Sequence, residues 1–217
     1  MTDDDSDICA VPSEGALRGI MGTPMDLAVR KQLGKLDRHC RAFIARSPFL
    51  CIGTADADGK ADVSPRGDPA GFVQVLDDST LIIPDRPGNN RLDTMTNIMA
   101  NPNVGLLFFI PGFEDTLRVN GRATIVSDPA VLECAAVNGK APKVAIRVAV
   151  DEAFLHCAKA LKRSRLWDAD SRVERKAMPS LAKMILEQTA PPEKPPTAKE
   201  VLDVDADIEE NYKTGLY

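Results

Sequence analysis

From Thr116 to Val126 the chain alternates: Leu117, Val119, Ala123 and Ile125 fall on one side, Arg118, Asn120, Arg122 and Thr124 on the other. A period of two predicts a strand with one buried and one wet face, which is an antiparallel-sheet pattern. Further strands are read in the central part of the chain. Phe49 to Thr54 predicts a buried strand, Asp58-Gly59 a hairpin turn, and Ala61 to Pro65 the return strand. Pro65 is expected at that strand's end, because proline has no N–H for a ladder. Phe72 to Leu76 and Thr80 to Pro84 read as two strands about an Asp77-Asp78 turn. Val104 to Ile110, apolar throughout, predicts a central strand covered on both faces, and Val144, Ile146, Val148 and Val150 alternate once more. Strands joined by short turns predict a mainly β fold, an antiparallel sheet closing into a barrel with helices outside it.

The helical readings surround this core. Val29, Leu33, Leu36, Cys40 and Phe43 form one stripe and predict a single amphipathic helix from Asp26 to Arg46, capped by Asp26 and ended by Pro48. Leu92 to Ala100 predicts a helix stopped by Asn101-Pro102, and residues 128–137 a short one. Ala153 to Trp167 reads as a further helical region, with Phe154, Ala158 and Leu161 along one side and His156, Lys159, Arg163 and Trp167 along another. Another helix follows over 178–189, then the stiff linker Pro191 to Pro196. Thr197 with Glu200 forms a capping box that opens a last acidic helix, striped by Val201, Val204, Ile208 and Tyr212. The expected organisation is an N-terminal segment over 1–25, disordered to about residue 12, a barrel over 26–152, a helical extension over 153–190, and the linker and last helix over 191–217.

A net charge of −5 argues against general nucleic-acid binding. No apolar run reaches membrane-spanning length, and the acidic N-terminus lacks signal-peptide order, so a cytoplasmic protein is expected. The five cysteines, an odd number without Cys-x-x-Cys, fit reduced thiols.

The chemistry points to Ile83-Pro84-Asp85-Arg86-Pro87-Gly88-Asn89-Asn90-Arg91. A strand leads in, Pro87-Gly88 forces a turn, and Asn89 or Asn90 is placed to cap the helix that leads out. Free N–H groups at a helix start, flanked by Arg86 and Arg91, suit a phosphate; the competing reading is a plain strand-to-helix connection with solvated arginines. Gly53 to Lys60 is no P-loop: the glycine spacing is wrong and Ala61 stands where a hydroxyl is needed. The two histidines sit in His39-Cys40 and His156-Cys157, but adjacent helical residues point apart, so a shared metal site is not expected.

Asp62-Val63-Ser64-Pro65-Arg66-Gly67, then Ile83 to Arg91, Asn101-Pro102 and Leu117-Arg118-Val119-Asn120-Gly121, together resemble the pyridoxamine 5′-phosphate oxidase family of FMN-binding split-barrel proteins. The octapeptide Pro-Asp-Arg-Pro-Gly-Asn-Asn-Arg is similar to one branch of FMN-dependent proteins, as is the region from Phe154 to Trp167; the likeness spans roughly 26–168. The resemblance implies an antiparallel split β-barrel and FMN at a homodimer interface. It places Val63, Ser64, Pro65 and Arg66 beside the flavin ring, with Ile83 and Pro84 at its border. The family's Arg-Lys phosphate pair falls on Asn90 and Arg91, so Arg86 is the expected substitute for the cation missing at Asn90. A flavin-contacting glutamine falls on Thr116.

The oxidase's C-terminal Arg-x-His substrate motif has no counterpart, so pyridoxamine oxidation is not carried over. The expectation is an FMN-dependent oxidoreductase acting on an unidentified small molecule, with hydride passing between the flavin and that substrate or a nicotinamide donor. The alternatives are a flavin carrier, store or redox sensor, or a relative using deazaflavin or haem. Trp167 is read either as a cover for flavin or substrate or as helix-end packing. Lys159, Lys162, Arg163 and Arg165 are read either as anion-binding or as a solvated face.

Overall fold

The computed structural model describes residues 10–217; the expectation for the first nine residues, with Cys9 among them, lies outside the described residues. The elements are α1 (Glu14–Met21), α2 (Asp26–Arg30), α3 (Arg38–Ile44), β1 (Phe49–Ala55), β2 (Ala61–Gly67), β3 (Gln74–Val75), β4 (Thr80–Pro84), α4 (Asp93–Ala100), β5 (Asn103–Phe109), β6 (Thr116–Val126), α5 (Pro129–Glu133), β7 (Ala145–His156), α6 (Lys159–Ser164), α7 (Leu181–Thr189) and α8 (Ala198–Thr214). The strands form one antiparallel sheet in the order β2-β1-β5-β6-β7-β4-β3. Alternate residues fill its core: Leu50 and Ile52 from β1, Leu106 and Phe108 from β5, Leu117 and Val119 from β6. Leu36, Cys40, Phe43 and Ile44 pack on the same core.

The ladder leaves β2 and β3 as edges, so hydrogen bonding does not close the barrel. Ion pairs tie its two sides together instead. Arg66 on β2 meets Asp85 just after β4 at 2.7 Å, and Asp68 just after β2 meets Arg86 at 2.6 Å. Pro65 lies inside β2 rather than at its end. An edge strand tolerates it, because β2 pairs only with β1.

Several readings need correction. The helix expected over Asp26 to Arg46 is two helices, and Val29 is exposed rather than buried. Between them Leu33 exchanges backbone hydrogen bonds with Ala153, at 3.0 and 2.8 Å. Pairing of β4 with β7 ends at Ala149, so the far half of β7 has spare backbone groups on that side, and Leu33 takes some of them. Gly34 weakens helix there. Asp37 restarts it, accepting the N–H groups of His39 and Cys40 at 2.9 and 2.8 Å. Asp26 is inside α2, whose N-cap is Met25.

The helix expected from Ala153 begins at Lys159, since β7 runs on to His156. Glu152 to His156 pair with Asn120 to Thr116, past a bulge at Asn120/Gly121. Tertiary pairing outweighs helix propensity over those residues. Phe72 to Leu76 shrinks to β3, and β5 is more covered on one face than on the other. The Thr197–Glu200 capping box is present, and α8 packs on α7. Its trailing Tyr217 reaches the barrel, donating its hydroxyl to Asp68 at 2.6 Å, while Lys140 donates to the Tyr217 carbonyl at 3.0 Å.

Candidate functional site

β4 delivers the chain into the turn with Ile83 in the core, paired with Ile146, and Pro84 buried beside it, so these two offer only main chain to a ligand. Past Pro87-Gly88 the backbone turns left-handed twice, at Asn90 (φ 56°) and at Leu92 (φ 62°). A left-handed leucine is strained, which is the sort of cost that concentrates at functional turns. Asn89 does not cap α4; its side chain accepts the N–H of Arg91 at 3.1 Å. Asn90 does not cap it either: the N-cap is Leu92, with no side-chain hydrogen bond. The first N–H groups of α4 therefore lack the oxygen that a Ser, Asp or Asn cap supplies.

The arginines differ. Arg91 is 71% exposed, its Nε donating to Asp93 at 2.8 Å. Arg86 is turned inward, to Asp68 and to the Ala135 carbonyl at 2.9 Å, with the Tyr217 ring 5.6 Å from its guanidinium. Its commitments are to the fold. Arg66 donates through Nη1 to Asp85, while its buried Nε has no partner. On β2, Ser64 and Arg66 are half-buried on one face, and Val63 and Pro65 face solvent. Thus β2, Asp85 and the turn come together at the split of the barrel. Thr116 does not join them: it starts β6, three strands from β2 in the sheet, where it pairs with His156.

A family model described as pyridoxamine 5′-phosphate oxidase matches residues 36–157, from the core residue Leu36 to the end of β7. The chain belongs to the pyridoxamine 5′-phosphate oxidase family. Its unclosed antiparallel sheet with flanking helices agrees with this family's split barrel. Among solved structures, a HupZ protein of Group A Streptococcus is 22% identical over 56% of this chain and 99% of the other, with a TM-score of 0.46. A candidate pyridoxamine 5′-phosphate oxidase of Lactobacillus delbrueckii is 22% identical over 57% and 98%, at 0.46. An FMN-binding protein of Syntrophomonas wolfei is 10% identical over 66% and 97%, at 0.43. No curated protein matches the chain.

Within this family member the acids around the arginines are only partly legible in the motif. Asp85 and Asp93 lie close enough in sequence to suggest themselves, but Asp68 and Tyr217 carry no local signal. Trp167 donates to the Phe113 carbonyl at 2.7 Å, and Lys162 and Arg165 meet Glu114 and Asp168 at 2.9 and 2.7 Å. Among the described residues no helix is long and apolar enough to cross a membrane.

A cavity of about 620 Å³ lies at the end of the barrel where β6 starts and β7 ends, beside α3. His39, His156 and Cys157 all line it, although the sequence reading kept the two His-Cys pairs apart. They border one cavity because His156 ends a strand rather than lying on a helix. Cys40 stays in the core, its thiol pushed up to about 11, first by burial. Among the described residues no group of three or more His, Cys, Asp or Glu is placed to hold a metal.

The His156 imidazole is held below its ordinary value, first by burial and then by the charges of Arg118 and Lys31. NMR titration is expected to place its midpoint below about 6.5, and Arg118→Gln is expected to raise it. The unfolded chain binds this proton more readily than the fold, so His156 makes stability fall as pH drops from the ordinary histidine value through the folded one. A midpoint at or above the ordinary value would refute this.

Proposed function

We propose that this family member binds FMN at the split of its barrel and is an FMN-dependent oxidoreductase of the cytoplasm, acting on a small molecule. The observation that carries the reading is a set of donors without full protein partners around one turn: the uncapped start of α4, exposed Arg91, and the buried Nε of Arg66. A phosphate suits the helix start and Arg91, and a polar ring edge suits Arg66. Val63, Ser64, Pro65, Ile83 and Pro84 supply main chain along the ring. Asn90 shapes the turn, and Arg86 holds it from behind through Asp68. Thr116, remote in one chain, is assigned to the flavin of a second copy in a homodimer. Bound flavin supplies hydride exchange with the substrate or a nicotinamide donor. The four free cysteines of the described residues suit a reducing compartment.

Purified protein is expected to be yellow or to take up FMN; colourless protein that ignores added FMN would end the reading. Arg91→Ala is expected to weaken FMN by about tenfold, from a charge-assisted contact of roughly 1.5 kcal/mol, the low end because the side chain is exposed. Riboflavin, lacking the phosphate, is expected to bind the variant and the parent alike. Equal losses for both flavins would give Arg91 a role in the fold instead.

A further inference from the structure

Two ion pairs cross the split of the barrel, and they are built differently. Asp68 and Arg86 are enclosed and fully engaged, with Tyr217 and the Ala135 carbonyl as further partners. Asp85 and Arg66 are more open, their side chains 25% and 18% exposed, and among the described residues each side chain has only the other. Arg66 gives Nη1 to Asp85 at 2.7 Å; its Nε is buried without a partner, and among the described residues Nη2 has none either. The guanidinium is a rigid fork of five N–H donors, so a tether on Nη1 sets the direction of the others. Asp85 is itself fixed. It follows the last residue of β4, and its backbone N–H donates to the Val144 carbonyl at 3.1 Å, continuing the ladder of Pro84 with Ala145. Arg66 lies on the edge strand β2, which pairs only with β1. Without Asp85, nothing among the described residues holds its head group. A loose arginine loses rotamer freedom when it meets a ligand; a tethered one has lost it already.

We propose, resting on the flavin reading above, that Asp85 is a positioning residue, which by its hold on Nη1 keeps the Arg66 guanidinium and its charge beside the flavin ring. Reduction adds electrons to the ring, so a cation held beside it favours the reduced form. Asp85 then acts in two opposed ways. Its own negative charge disfavours reduction, while its hold on Arg66 favours it. The second effect is the larger, because the guanidinium is the member of the pair that meets the ring. Removal of Asp85 separates the two by sign. Loss of its field alone raises the flavin potential, and loss of Arg66 from the ring lowers it. A carboxylate that only braces the split leaves the potential where it was.

The test uses the full chain loaded with FMN, with the midpoint potential read by dye equilibration and the dissociation constants of FMN and riboflavin by titration. Arg66→Met sets the reference and is expected to lower the potential. Asp85→Ala is expected to lower it too, and to weaken both flavins by about tenfold, since the ring rather than the phosphate loses its partner. Asp85→Glu, which keeps a carboxylate within reach of the guanidinium, is expected to restore most of both properties. In the Arg66→Met background, Asp85→Ala is expected to weaken neither flavin further, as for two residues acting as one unit. Asp85→Ser, too short to reach Nη1, takes the place of Asp85→Ala if that variant folds poorly. A potential that rises in Asp85→Ala would leave Asp85 as a field charge, and an unchanged one would leave it as a brace; either overturns the proposal. An unchanged potential in Arg66→Met does so as well, by removing Arg66 from the ring. If the parent binds FMN and Asp85→Ala matches it throughout, only the role of Asp85 falls. If the parent takes up neither flavin, the flavin reading falls with it.

Discussion

Gly121→Ala is expected to cost about 3 kcal/mol or more, an overpacking penalty at the top of its usual range. In a domain of this size that lowers the melting midpoint by roughly 6–12 °C. A Cβ at Gly121 would run into the carbonyl oxygen of Ala149, with the carbonyl carbon at 3.1 Å and Val148 Cγ1 at 3.2 Å. Two of these obstacles are backbone. The backbone cannot retreat, because β7 is held on its other side by β4, through Thr80↔Ala149 and Leu81↔Val148. Gly121 also follows the bulge that sets the register of the outer half of β7. Losing that register would free the segment that carries His156. Gly53→Ala is the control: its Cβ would meet only the Gly105 carbonyl at 3.7 Å, ordinary contact. Urea denaturation of both variants decides the matter, and equal midpoints would show that the close approach is not what Gly121 provides.

The strands were legible by period where one face is buried, since burial imposes the period of two on β6 and the first half of β7, and by an apolar run at β1. The hairpin at Asp58-Gly59 and the Thr197–Glu200 cap were legible because their partners lie within a few residues. What escaped depends on partners far along the chain. The break at Leu33 and Gly34 answers to spare backbone groups on Ala153, and the extension of β7 answers to Thr116 through Asn120. At the candidate site the turn could be read from Pro87-Gly88, but not its cap, because Asn89 turns back to Arg91 and leaves α4 bare. Arg86 shows the same limit. Its neighbours in sequence suggest an anion ligand, whereas its position is decided by Asp68, Ala135 and Tyr217, none of them nearby in the chain.

That inward arginine sets up the second large effect. The Asp68 side chain is 1% exposed and Arg86 15%, so their 2.6 Å contact is a buried ion pair. Removing one member of such a pair costs more than the pair itself contributes, because the other charge stays buried without compensation. Asp68→Ala is expected to destabilise the protein by about 3 kcal/mol, the lower end of the usual 3–5 since Arg86 retains some solvent and the Ala135 carbonyl. Tyr217→Phe removes only the hydroxyl donated to Asp68 and is expected to cost about 1 kcal/mol. The discriminating variant is Asp68→Leu/Arg86→Met, which removes both charges and fills the space with apolar atoms. It is expected to recover most of the loss seen in Asp68→Ala, as buried pairs do when replaced whole. Urea midpoints for the three variants give the comparison. If the double variant is as unstable as Asp68→Ala, the carboxylate itself holds the strand edges together through its own hydrogen bonds, and the charge of Arg86 is not what makes Asp68 indispensable.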